Sequence, residues 1–322
     1  MSTPSSSTNP TPTGHPGAPT GRAEGPTAPR RDRPDLEDAL AERFLRYSAV
    51  VSQSDASATT VPTTEGQREL ATLLAEELRA LGAADVHVSE TAVVTACIPS
   101  TLPEGASAPV IGLCSHLDTV DAGLSPVVHA RIIEHTGGDI VLNAETGAAI
   151  REAEHPEIAR YVGDRLLVAD GTSVLGADDE AGLSVIMELA ARLLAADAGG
   201  RATGAAATAG SDGTGQGAAA EPHGEIRIAF VPDEEIGLRG VRTLDMDRFP
   251  VDVAYTIDSG ETGELVEETF NAATAELTIE GVTAHPMEAK GVLVNPILLA
   301  RRFIARLDPE QTPECTEGRE GY

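Results

Sequence analysis

Apolar positions recur along this chain with two periods, helical and strand-like, and the two alternate. Leu36, Leu40, Phe44 and Leu45 fall at helical spacing. A second helix starts behind Thr64, with Glu65 and Glu69 early. Leu70, Leu73, Leu74, Leu78 and Leu81 form its stripe and Gly82 stops it. Strands are predicted at Asp85–Val88, Ala92–Ile98, Val110–Ser115 and Asp139–Leu142. A helix follows over about Asp179–Ala196, striped by Leu183, Ile186, Met187, Ala190, Leu193 and Leu194. Next come a strand over 225–231, a short helix near Val241–Met246 and a buried strand at Val251–Ile257. Strands alternating with helices, several of them apolar throughout, predict an α/β domain over residues 36–271 with a mostly parallel central sheet.

The flanks have other patterns. Residues 1–35 are Pro, Thr, Ser and Gly with almost no large apolar side chains, which predicts a disordered leader. Residues 197–222 are Ala, Gly and Thr with a few acids, which predicts a flexible low-complexity insertion. After Asn271, Ala275–Glu280 alternates like a half-exposed strand and Pro296–Leu307 reads as a helix. Residues 272–322 are thus expected to begin a smaller α+β unit, with too few elements for a core of its own.

Charge narrows the partners. The 322 residues are 41% hydrophobic, enough for a real core, but the net charge is −28 and Lys290 is the only lysine. That argues against nucleic acid and anionic membranes, which need clustered cations. It suits metal ions or amino groups as ligands. Cys97 and Cys114 lie in apolar runs and read as core residues. With Cys315 they are odd in number and scattered, which fits a reducing cytoplasm. No stretch of 18 apolar residues predicts a membrane span.

The chemistry gathers where the apolar strands end. Val110–Cys114 runs into Ser115-His116-Leu117-Asp118, Ile226–Val231 into Asp233-Glu234-Glu235, and Val251–Ile257 into Asp258. Asp178-Asp179 stands where a helix begins, and the macrodipole favours an anion there. In open α/β sheets the ligand crevice lies beyond the carboxyl ends of the strands. If these strands are parallel neighbours, all four sites converge. His116 and Asp118, two apart, can divide the work, with the imidazole binding an ion and the carboxylate holding its other ring nitrogen. A carboxylate such as Asp178 can bridge two ions. Taken singly, each match also fits a turn, an N-cap or a solvated loop. One His among carboxylates suits zinc, cobalt or manganese more than calcium.

These residues resemble a known family. Ser115-His116-Leu117-Asp118-Thr119, Leu175-Gly176-Ala177-Asp178-Asp179-Glu180-Ala181-Gly182, Pro232-Asp233-Glu234-Glu235-Ile236-Gly237 and Tyr255-Thr256-Ile257-Asp258 look like the peptidase T family. Its members are tripeptide aminopeptidases among the dinuclear zinc exopeptidases. Glu42-Arg43-Phe44-Leu45, Val61-Pro62-Thr63-Thr64-Glu65-Gly66-Gln67, Gly137-Gly138-Asp139-Ile140, Phe270-Asn271-Ala272-Ala273 and Thr316-Glu317-Gly318 extend the likeness over about Leu36 to Tyr322. The resemblance implies a zinc-exopeptidase-like catalytic domain and the beginning of a lid and dimerisation domain. It implies two Zn2+ per subunit, Co2+ or Mn2+ being alternatives. His116 and Asp258 would hold one ion, Glu235 the other, and Asp178 both. Asp118 would orient His116. Glu234 would be the general base, taking a proton from the attacking water and passing it to the leaving amine. His285, in Ala284-His285-Pro286, resembles a lid histidine that stabilises the oxyanion. The substrates would be short peptides, and a homodimer would form through the lid.

Three departures accompany the likeness. Glu180 stands where family members commonly have Lys, which is expected to add negative charge near the site. The 197–222 segment is an insertion. Chains of the family run well beyond Tyr322 and there supply a last histidine ligand, whereas no histidine follows His285 here. The alternatives to an aminopeptidase are a related carboxypeptidase or N-acyl amino acid deacylase, or an inactive remnant. A calcium-binding protein is a weaker fit, because no calcium-loop spacing is present.

Overall fold

The computed structural model describes residues 34–203, 222–260, 263–267, 273–312 and 315. The predicted leader up to residue 33, residues 204–221 of the predicted insertion and most of the tail from 313 lie outside the described residues. The chain divides into two units, Met1–Asp258 and Ser259–Tyr322.

Two helices open the first unit, α1 (Pro34–Tyr47) and α2 (Glu65–Leu81). Strands β1 (Ala84–Val88), β2 (Val94–Ile98) and β3 (Ile111–His116) follow. Four short strands come next: β4 (Arg131–Glu134), β5 (Ile140–Asn143), β6 (Ala148–Ile150) and β7 (Arg165–Val168). Then come α3 (Ala177–Thr203), β8 (Ile226–Val231) and β9 (Val253–Thr256), and in the second unit α4 (Pro296–Ile304). The short helix expected near Val241–Met246 is a single 3-10 turn over Val241–Thr243.

Helix α2 shows why these boundaries arise. Its stripe buries Leu70, Leu74 and Leu78 completely. Gly82 ends it at φ +92°, a left-handed conformation that costs glycine little. The Gly82 amide returns to the Arg79 carbonyl and the Ala83 amide to that of Leu78, so the frayed carbonyls are satisfied. The Thr64 hydroxyl does not cap the other end. It donates to the Gln53 carbonyl at 2.8 Å and ties the preceding loop instead.

The fold is α/β around a five-stranded mixed sheet of order β1-β2-β8-β3-β9. Strands β8, β3 and β9 are parallel, pairing Ser115 with Phe230 and Leu113 with Tyr255. The other two strands are antiparallel, β1 to β2 and β2 to β8. The parallel character expected from the apolar runs therefore holds for the three strands that carry the chemistry. Apolar content alone does not tell an antiparallel neighbour from a parallel one, so the antiparallel edge formed by β1 and β2 was not expected. The core joins α1, α2, α3 and the sheet through Tyr47, Leu70, Leu74, Leu183, Ile186, Met187, Ile228 and Phe230. A satellite cluster of Ile140, Ile158 and Val168 lies under the β4–β7 and β5–β6 ribbons.

Two expectations fail. The run Val251–Ile257 was expected to be buried, but β9 is exposed along its length because it is an edge strand with one neighbour. Ala275–Glu280 forms no strand, since alternation supplies no ladder without a partner. Among the described residues of the second unit the only pairing is a bridge between Val282 and Val294. No described helix is long and apolar enough to cross a membrane.

Candidate metal centre and active site

Parallel pairing brings the carboxyl ends of β3, β8 and β9 side by side. His116 is the last residue of β3, opposite Val231, the last of β8. The Leu117 amide continues to the Val231 carbonyl at 2.8 Å, and the Ile257 amide to that of Cys114 at 2.9 Å. His116, the acidic turn after β8 and Asp258 thus share one rim.

The His116 ring is buried and approached from both sides. Its Nδ1 is 2.7 Å from the Asp118 carbonyl oxygen. A carbonyl can only accept, so Nδ1 carries a proton and Nε2 faces the acids. Nε2 lies 2.7 Å from Asp178 Oδ1 and 3.9 Å from Asp258 Oδ2. Burial alone would push the His116 pKa down, but Asp118, Asp179 and Asp178 outweigh it and hold it at about 10. A proton and a cation would compete for that nitrogen.

Asp118 is fully buried and does more than its spacing indicated. Its carboxylate is 3.5 Å from His116 Nδ1. It accepts closer bonds from the Glu234 amide at 2.8 Å and the Glu235 amide at 3.2 Å. One side chain thus links the imidazole to the acidic turn.

The two adjacent aspartates separate. Asp178 is exposed and meets His116. Asp179 is buried and caps α3, accepting the Gly182 amide at 3.1 Å. It also accepts the Ser115 hydroxyl at 2.5 Å and the His116 amide at 3.2 Å. Gly182 is required by this packing, because a Cβ there would stand 2.2 Å from both Asp179 Oδ1 and the Ile257 carbonyl oxygen. Burial, partly offset by the Ser115 bond and by His116, raises the Asp179 pKa to about 7.

Glu180 corrects an expectation. It is buried, and desolvation followed by the charge of Asp179 lifts its pKa to about 8. Its charged form is therefore disfavoured relative to that of an ordinary carboxylate.

Glu234 and Glu235 are half-buried, and burial raises both pKa values with help from neighbouring acids. Asp258 is raised by burial and then by Asp178. Two sets of donors lie within 4.8 Å of one another, His116 with Asp178 and Glu235, and His116 with Asp179 and Asp258. One imidazole among mutually repelling carboxylates is a donor set that a divalent cation would stabilise. The residues therefore fit a metal centre. His285 lies in the second unit, exposed, with its Nδ1 3.3 Å from the Met287 amide.

Sequence reasoning assigned no part to Asp179, Gly182, Ser115 or the Thr63-Gln67-Asp233 group. All of them stood inside the quoted motifs. What each does depends on a partner more than 60 residues away or on packing space, and neither is visible locally.

Residues 268–322 match the peptidase dimerisation domain. A peptidase T-like protein of Yersinia pestis is 52% identical over 287 residues, which is 89% of this chain and 63% of that protein. Peptidase T of Geobacillus kaustophilus is 40% identical over 291 residues, 89% of this chain and 64% of that protein. The chain thus spans less than two thirds of the length of these curated relatives. Among solved structures, an aminopeptidase PepT from Bacillus cereus superposes with a TM-score of 0.50 at 23% identity, over 84% of this chain and 57% of that one. That likeness shows the shared fold.

Proposed function

Since this chain is a homologue of the peptidase T proteins across 89% of its length, we propose that it carries the catalytic centre of a metal-dependent aminopeptidase that releases the N-terminal residue of tripeptides. The observation that carries this reading is the convergence of His116, Asp178, Glu235 and Asp258 around one rim, with Glu234 beside them. His116 and Asp258 would hold one ion, Glu235 a second, and Asp178 both, with Zn2+ favoured by the donor set and Co2+ or Mn2+ as substitutes. Bound ions supply a water acidified toward neutral pH and a polarised scissile carbonyl.

The chain's own residues do the rest. Glu234 takes a proton on its carboxylate from the attacking water and delivers it to the leaving amine nitrogen. Its raised pKa, due first to burial, suits a group that must both accept and release that proton. Asp118 holds the amides of Glu234 and Glu235 together, so the proton carrier and the adjacent ligand keep a fixed relation. His285 is assigned to the oxyanion on the resemblance of Ala284-His285-Pro286. The match of residues 268–322 to the peptidase dimerisation domain supports a homodimer. Three unpaired cysteines favour the cytoplasm.

Two variants test the reading. Glu234→Ala should lower tripeptide turnover by about 10²–10⁴-fold while metal content stays near wild type. Asp178→Ala should lose metal. Wild-type turnover in Glu234→Ala would overturn the assignment, and hydrolysis of N-acyl amino acids alone would replace the aminopeptidase with a deacylase.

A further inference from the structure

The acidic turn has a third member with no chemistry assigned to it. Asp233 is fully buried and sits at φ +56°, a left-handed conformation that a non-glycine residue keeps only under constraint. Its carboxylate accepts the Thr63 amide at 3.0 Å, the Thr63 hydroxyl and Gln67 Nε2 at 2.8 Å. Its own amide donates back to Gln67 Oε1 at 2.9 Å. Gln67 is equally buried, and its Nε2 also reaches the Thr63 and Thr64 hydroxyls at 3.2 and 3.1 Å.

A buried carboxylate persists only when donors replace its water. Here the donors come from Thr63, just before α2, and from Gln67 in its first turn, far away in sequence. The consequence for the turn lies in its backbone. Three consecutive amides, those of residues 233, 234 and 235, all donate to buried side chains: Gln67 Oε1, Asp118 Oδ1 and Asp118 Oδ2. A second tie lies on the far side of the turn. The Arg239 amide bonds to the Asp233 carbonyl at 3.0 Å, and its guanidinium reaches the carbonyls of Ala58 and Ala56. Side chains from two other segments therefore orient this turn, where a strand ladder would ordinarily do so.

We propose that Asp233 and Gln67 are a reciprocal pair of positioning residues that aims Glu234 at the reacting water and Glu235 at its ion. This rests on the roles given to the two glutamates above. Neither Asp233 nor Gln67 touches the reacting atoms. They act through the backbone of the two residues that follow Asp233.

The pair can be broken and rebuilt. Asp233→Asn sets an amide group against the Gln67 amide, and Gln67→Glu sets two carboxylates together. The double exchange restores one donor facing one acceptor, with the new Nδ2 in place of Oδ1. The probes are Co2+ titration of the purified chain, hydrogen exchange at residues 233–238 and thermal melting. Each single variant should lose about 10–100-fold in Co2+ affinity, the usual cost of removing a ligand's outer support. Exchange should quicken at the turn while the β8 amides stay protected. The double variant should recover both. Thr63→Val, which removes one hydroxyl donor and keeps the volume, should show the same local pattern to a smaller degree if a single variant fails to fold. Single variants that bind Co2+ like wild type with unchanged exchange would overturn the proposal, as would a double variant that melts like wild type without recovering affinity. A wild-type chain that binds no Co2+ would instead overturn the proposed metal centre, and the exchange data would still decide the clamp.

Discussion

Helices α2 and α4 carry the same kind of apolar stripe and meet opposite fates. In α2, Leu70, Leu74 and Leu78 are fully buried against the sheet and α3. In α4, Ile297 is 75% exposed, Leu298 53% and Ile304 64%. No described residue beyond Asp258 is buried. The contrast teaches that a stripe states what a helix needs and does not show that the need is met. Most helix stability in proteins comes from packing the apolar face, so α2 is held by its surroundings. Helix α4 has a proline at its first position and an Asn295 side chain capping the Ile297 amide, both local devices.

Substitutions can sharpen or break that contrast. The largest effect on stability is expected for Leu74→Ala, which opens a cavity in the core and should cost about 2–5 kcal/mol in urea denaturation. Next comes Gly182→Ala. The added methyl would overlap Asp179 Oδ1 and the Ile257 carbonyl. It should cost about 1–3 kcal/mol and weaken Co2+ binding, because Asp178 and Asp258 neighbour the two displaced groups. The smallest is Ile304→Ser in α4, expected to change stability by less than about 0.5 kcal/mol. If that variant loses as much as Leu74→Ala, the α4 face is covered in solution and the contrast fails.

The site was legible to the extent that its chemistry sits at the ends of strong patterns. His116, Asp118, Glu234 and Glu235 all stand at or just beyond the ends of apolar runs that form strands, so a buried-strand signal ending in residues able to do chemistry located them. Helices α1 and α2 were legible from their stripes within a few residues at each end, whereas α3 runs past the expected Ala196 to Thr203, into the start of the segment expected to be a flexible insertion. Strands β4, β6 and β7 were not. At three or four residues each they give little pattern to read, and of the four short strands between β3 and α3 only β5 was placed from the sequence. The exposure of β9 was hidden for another reason: an apolar run reads alike at the centre of a sheet and at its edge.

Asp178 and Asp179 mark where local information stops. They are the same residue type, side by side, and both an N-cap and a ligand suit an aspartate at a helix start. The structure divides the roles with partners from β3, more than 60 residues earlier. The Ser115 hydroxyl and the His116 amide draw Asp179 inward to cap the helix, and His116 Nε2 faces Asp178. The sequence alone determined the types of the long elements and the residues able to do chemistry at their ends, because period and residue type are local properties. Which strands become parallel neighbours, which acid is buried and which acids meet one imidazole were decided by tertiary structure. Those outcomes depend on long-range packing and on the cost of leaving a buried charge without donors.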